Sequence, residues 1–356
     1  MKKLIFPQSK LIKGIEWQGD RIPYPERDIW GDTYPMTWAD DDRIYTSSGD
    51  PGWGESIDGL DIETFDGGPE NYKITKINHM NDYKGFGGNG PKPSGMICVR
   101  GNLYFAFQNF YGLQAPPFSD VCQHGSDAVI IASNSLPTIW KGISWTPAFS
   151  NITEPTFPGY KFGGPAFINF GKDNENARDD YVYAVSSDQW DNGSNLRIGR
   201  VPNDRIIRRD SWEWVCSFDM FGQPAWSSDL NESIPVLSAH RSLGLPEMVY
   251  LASIERYLLF IWKLHKDFSP YDGTDLIIFE SPEPWGSFSL VHYEKYWEGK
   301  EFNPYCPRLP LKWIEPDGIN CWLQFSGSWG PGVSIPDELS IGYYRSNVRP
   351  FKLVMK

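Results

Sequence analysis

The sequence predicts an all-β protein, a five-bladed β-propeller with four antiparallel strands per blade, and three observations predict it. Glycine (34 residues) and proline (29 residues) recur throughout the chain, as they do where many short strands are joined by tight turns. No long window carries apolar residues at helical spacing, whereas short aromatic and aliphatic runs alternate with polar residues, the period of a strand. One pattern then recurs five times along the 356 residues.

The pattern is a short apolar strand, a turn rich in Asp, Gly or Asn, and a second apolar strand that ends in a polar residue. Its copies are "MTWADDDRIYTSSGD" from residue 36, "GMICVRGNLYFAFQN" from 95, "AFINFGKDNENARDDYVYAVSSD" from 166, "MVYLASIERYLLFIWK" from 248 and "LKWIEPDGINCWLQFSG" from 311. A second hairpin follows each copy, in order "GLDIETFDGGPENYKITKI", "DAVIIASNSLPTIWKGISW", "NLRIGRVPNDRIIRRDSWEWV", "DLIIFESPEPWGSFSLVHY" and "ELSIGYYRSNVRPFKLVMK". Each unit is thus four strands. A single sheet of four would leave apolar surface in water, whereas five sheets packed face to face around an axis bury both faces and leave only short edges. The expected blades span about 30–80, 90–147, 160–218, 235–294 and 303–356, so residues 1–356 form a single domain.

This topology sorts the acidic residues of "GDTYPMTWADDDRIYTSSGD". If the first strand of a blade descends from an upper rim and the second returns to it, Asp32 and Asp50 share that rim. Asp40, Asp41 and Asp42 fall in the lower turn, where Asp readily accepts from nearby backbone N–H groups. The same rule brings Tyr34, Trp53, Lys92, Asn109, Asp188, Trp190, His240, Arg308 and Trp329 to the rim as candidate substrate-binding residues, with Tyr305, His265 and Asp191 beside them.

Two carboxylates are the minimum for glycoside hydrolysis, one to protonate the leaving oxygen and one to activate water or attack the sugar carbon. Asp32 and Asp50 are the expected catalytic pair; Lys92 or Arg308 could hold one ionised while burial raises the other. The bland alternative is that both accept backbone hydrogen bonds at loop ends. Asp188 and Asp191 fit a third acid, a calcium site or a loop stabiliser, and the "DNG" turn favours the last. His240 fits a ligating, titrating or packing role. Trp53, Trp190 and Trp329 fit sugar platforms, although many of 16 Trp must be core.

Several chemistries are excluded. "GFGGNGPKPSG" precedes a strand and lacks the helix of a phosphate loop; neither a G-x-S-x-G elbow nor an H-E-x-x-H pattern occurs. A formal charge of −12 without a basic cluster argues against nucleic acid. Five scattered cysteines lack zinc spacing and read as buried free thiols, so no metal or cofactor is expected, a structural calcium being the one conceivable exception. The opening "MKKLIF" is basic, but its apolar run ends at Pro7, short of the roughly 7–15 residues of an export signal. No run approaches the roughly 18 apolar residues of a membrane span. The expectation is a soluble monomer whose partner is a poly- or oligosaccharide, cytoplasmic unless a leader has been removed.

The runs "GDTYPMTWADDDRIYTSSGD", "KPSGMICVRGNLYFAFQN", "PAFINFGKDNENARDDYVYAVSSD", "LRIGRVPNDRI", "RYLLFIWK" and "IIFESPEPWGSFSLVHY" resemble a bacterial propeller family long described as a domain of unknown function. That family includes endo-D-arabinanases that cut mycobacterial cell-wall arabinan. The resemblance covers nearly the entire chain. It implies a five-bladed propeller, hydrolysis of D-arabinofuranosyl linkages, and a catalytic Asp pair that falls on Asp32 and Asp50. The alternatives that the residues leave open are a lyase acting on a uronate polymer, with His240 or a tyrosine as base and Arg308 or Lys92 neutralising the carboxylate, and a carbohydrate-binding propeller without catalysis.

Overall fold

A computed structural model describes residues 6–26, 28–53, 60–79, 91–110, 125–133, 152–265, 273–300, 302–327 and 344–356, with only the backbone of 52, 53, 78 and 79. Five antiparallel sheets form a ring, and no α-helix occurs among the described residues. The chain enters through β1 (Ile12–Trp17) and β2 (Ile22–Pro23). Blade one contains β3 (Ile29–Asp32), β4 (Met36–Trp38), β5 (Ile44–Trp53), β6 (Leu60–Asp66) and β7 (Lys73–His79), with β3 and β4 both paired to β5 as one interrupted innermost strand. Blade two contains β8 (Lys92–Val99), β9 (Asn102–Gln108) and β10 (Val129–Ala132).

Blade three is built from β11 (Pro165–Phe167), β12 (Tyr181–Ser187), β13 (Gly193–Pro202), β14 (Glu213–Phe218) and β15 (Pro224–Ser227), and β16 (Leu237–Leu243) also pairs with β13. Blade four comprises β17 (Glu247–Leu251), β18 (Arg256–Leu264), β19 (Thr274–Ser281) and β20 (Ser289–Glu294). Blade five comprises β21 (Tyr305–Arg308), β22 (Asn320–Ser326) and β23 (Ser346–Met355). Its outermost strand is β1, paired along β23 from Ile12–Met355 to Trp17–Phe351, so the first and last described strands share one sheet. Residues 237–243, expected to open blade four, lie instead on the blade-three sheet.

Period-2 alternation explains why a ring forms. In β18, Tyr257, Leu259 and Ile261 pack against blade three, while Leu258 and Phe260 pack against blade five. In β9, Phe105 and Phe107 face blade one and Ala106 faces blade three. Among the described residues the five largest apolar clusters lie one at each junction of neighbouring blades, and the fifth joins Tyr24, Trp313 and Val348 of blade five to Met36, Ile44 and Phe65 of blade one. Strands apolar on both faces are therefore buried on both faces.

Asn169 closes the axis. Its Nδ2 donates to the carbonyls of Met36 (3.2 Å) and Met96 (3.1 Å), its Oδ1 accepts from Thr37 Oγ1 (2.7 Å), and its own carbonyl accepts from Tyr250 N (3.0 Å). One residue thereby ties blades one to four, its side-chain amide reaching blades one and two and its backbone carbonyl blade four. The cavity beside it, lined by Met36, Asn169, Glu247, Val249 and Leu309, has a volume of about 10 Å³, room for a single water.

Four cysteines are free thiols, with Cys98, Cys306 and Cys321 buried and Cys216 half-buried; Cys122 lies outside the described residues. Among the described residues no helix is long and apolar enough to cross a membrane.

Candidate active site

The two rim carboxylates come together through a local irregularity. Trp30 pairs with Gly52 and Asp32 with Gly49, so Asp50 and Pro51 on β5 oppose Gly31 alone. This is a β-bulge, which re-aims side chains at a strand end. Asp50 (φ 44°) takes up the left-handed conformation, as do Thr33 (φ 72°) and Tyr34 (φ 43°) where β3 breaks before β4. Glycine at 49 leaves room for the acid, since a Cβ there would lie 2.6 Å from Asp32 Oδ1 and displace it.

Asp32 is buried, and both of its oxygens accept from hydroxyls, Oδ1 from Thr33 Oγ1 (2.7 Å) and Oδ2 from Tyr305 (2.9 Å). Its pKa is pushed from an ordinary 3.8 up to about 6, first by burial and then by the charge of Asp50, against the opposing pull of Lys92, Thr33 and Tyr305. Asp50 is about one-third exposed, with Lys92 Nζ ion-paired to its Oδ1 and the Tyr344 hydroxyl on its Oδ2 (2.7 Å). An acid near neutral and an ion-paired carboxylate thus stand side by side.

Arg308 sits beneath them, fully buried. Its Nε donates to Thr33 O (2.9 Å), and its Nη1 donates to Pro246 O (3.3 Å) and to Glu247 Oε2 (2.9 Å). Burial pushes Glu247 up to about 7 despite Arg308. Arg308 fixes the backbone beside Asp32 and is committed to the protein interior.

The other expected site residues separate into distinct environments. Lys92 joins the pair. Tyr34 is core, packed against Phe65 at 5.7 Å. Asn109 (φ 67°) is buried and its N–H donates to Ser126 O (2.6 Å). Asp188 accepts from Ser194 N (2.7 Å) and from Asn195, which makes it the stabiliser of its own loop. Trp190 packs edge-on against Trp262 (5.0 Å) and Tyr305 (5.5 Å), forming a wall behind the Tyr305 phenol. His240 is exposed on β16. Trp329 lies outside the described residues, and only the backbone of Trp53 is described.

Three groups at the site lack an expected role in the sequence. Glu247 was legible only as the lone charge in the apolar run "LPEMVYL"; Tyr305 falls on the rim without an assigned partner, and Tyr344 arrives from the final hairpin. No group of three His, Cys, Asp or Glu among the described residues is placed to hold a metal ion.

The five sheets define the class, an all-β, five-bladed propeller, and Lys92 of blade two and Tyr305 and Tyr344 of blade five meet the Asp32 and Asp50 carboxylates of blade one. Solved structures with this fold include an α-L-arabinofuranosidase from Podospora anserina in complex with cellotriose (12% identity, 96% of this chain and 98% of that one, TM-score 0.52). Two others are the catalytic domain of a Coprinopsis cinerea GH62 α-L-arabinofuranosidase (11%, 96% and 98%, 0.52) and a protein of unknown function from Dyadobacter fermentans (11%, 96% and 100%, 0.51). At such identities the likeness is one of fold. No protein-family profile matches the sequence, and no curated protein matches it either.

Proposed function

We propose that the protein is a glycoside hydrolase acting on a furanoside polysaccharide, an endo-D-arabinanase-like enzyme in which Asp32 is the acid and Asp50 its ionised partner. One observation carries the reading: two neighbouring carboxylates on one bulge have opposite surroundings, Asp32 buried among neutral hydroxyls and raised to about 6, Asp50 held by an ammonium. Environments that separate the proton affinities of two acids divide their labour. Protonated Asp32 gives its proton to the glycosidic oxygen as that bond breaks, and Asp50 supports attack at the anomeric carbon. The water consumed adds its oxygen to that carbon, and its proton restores Asp32. The resemblance of the first-blade motif to endo-D-arabinanases and the fold shared with arabinofuranosidases support the substrate class.

The test is incubation with a panel of arabinans, followed by reducing-end assay and product sizing. Asp32→Asn and Asp50→Asn should each lower turnover at least about 1,000-fold, with melting temperatures close to that of the parent. Full activity in both variants would sink the assignment; saturable binding without new reducing ends in the parent protein would make it a lectin.

A further inference from the structure

Blade five lends one phenol to each carboxylate of blade one. Tyr305, at the start of β21, donates to Asp32 Oδ2 (2.9 Å), and Tyr344, just ahead of β23, donates to Asp50 Oδ2 (2.7 Å). Both phenols are raised well above 10, by burial first and then by Asp32, so both stay protonated. The partners of the two acids differ in kind. Asp32 is held by Thr33 Oγ1 and Tyr305, two hydroxyls that can donate to a carboxylate or turn and accept from a carboxylic acid. Asp50 is held by Tyr344 and by Lys92, and an ammonium can only donate. Titratable and charged neighbours of this group include Cys306 behind Tyr305 with Arg308 and Glu247 beneath it, and Tyr34 behind Tyr344 with Glu63 and Arg345 beyond.

We propose that Tyr305 and Tyr344 are positioning residues that help to set which carboxylate carries the proton: Tyr305 with Thr33 can serve both protonation states of Asp32, whereas Tyr344 shares Asp50 with the Lys92 ammonium, which serves only its ionised state. This deepens the hydrolase reading and rests on it for its kinetic consequence.

The test is a carboxyl NMR titration of the full chain with ¹³C-labelled Asp, run beside pH profiles of kcat/KM on a furanoside polymer. Tyr305→Phe should raise the Asp32 midpoint by about one pH unit and carry the alkaline limb with it, because a bond to the charged form is the stronger one lost. Tyr344→Phe should raise the Asp50 midpoint and move the acid limb. Thr33→Val, a second route to the same loss, should act like Tyr305→Phe. Either phenol variant leaving its partner's midpoint in place, or Tyr305→Phe moving the acid limb, overturns the proposal. Midpoints that shift as stated in a protein that cleaves no furanoside polymer uphold the tyrosine assignment and overturn the hydrolase reading.

Discussion

Asp32 binds its proton more tightly folded than unfolded, and this has a direct thermodynamic consequence. A carboxyl raised from 3.8 to about 6 favours the folded state most at low pH. That advantage is lost as pH rises from about 4 to 6 and is absent above, a change of at most about 3 kcal/mol. Glu247 adds a loss of the same sign up to about 7. Urea unfolding across pH 4–7 should show stability falling with pH in the parent, and a shallower fall in Asp32→Asn; equal slopes would contradict the assigned burial. At this scale the sequence revealed one thing and concealed another. Asp32 and Asp50 lie 18 positions apart on one hairpin, so their meeting follows from local topology. Tyr305 and Tyr344 reach the same point across the ring from blade five, and no spacing in a single chain records that.

At the scale of the element, the bulge that opposes Asp50 and Pro51 to Gly31 is what makes two ordinary strand residues into a site. Gly49→Ala tests it, because the added methyl would press on Asp32 Oδ1 at 2.6 Å and on Pro93 at 3.1 Å. The variant should fold with a loss of about 1–3 kcal/mol, and kcat/KM should drop about 100-fold as Asp32 is displaced; unchanged kinetics would show that the bulge does not position the acid. The strands themselves were legible from alternation, but alternation misleads within the third strand of a blade. In "LDIETFD", Asp61 and Glu63 occupy the positions that a one-sided sheet would turn to water, yet both are buried, because a propeller covers both faces. Trp190, half-buried in the loop after β12, packs edge-on against Trp262, a contact between residues 72 positions apart that local spacing does not encode.

At the scale of the molecule, five repeats in the sequence implied five sheets, and the ring followed because nothing smaller buries both faces. The closure was not implied. The final strand-like run reads as a fourth strand of blade five, whereas β23 is its third and β1 supplies the fourth; which end completes a ring is decided by long-range packing that local patterns do not encode. The axis depends on Asn169, whose amide bonds the innermost strands of blades one and two. Asn169→Leu strands buried carbonyls and should destabilise the protein by about 3 kcal/mol, measured by chemical denaturation, whereas a neutral result would mean that the axial hydrogen bonds are dispensable.

The same asparagine fastens separate blades to one another. Its side chain holds the innermost strands of blades one and two from blade three, through Met36, Thr37 and Met96, so none of the three can slide along its neighbours without breaking bonds to the others, and the hub works as a rivet shared between separate sheets.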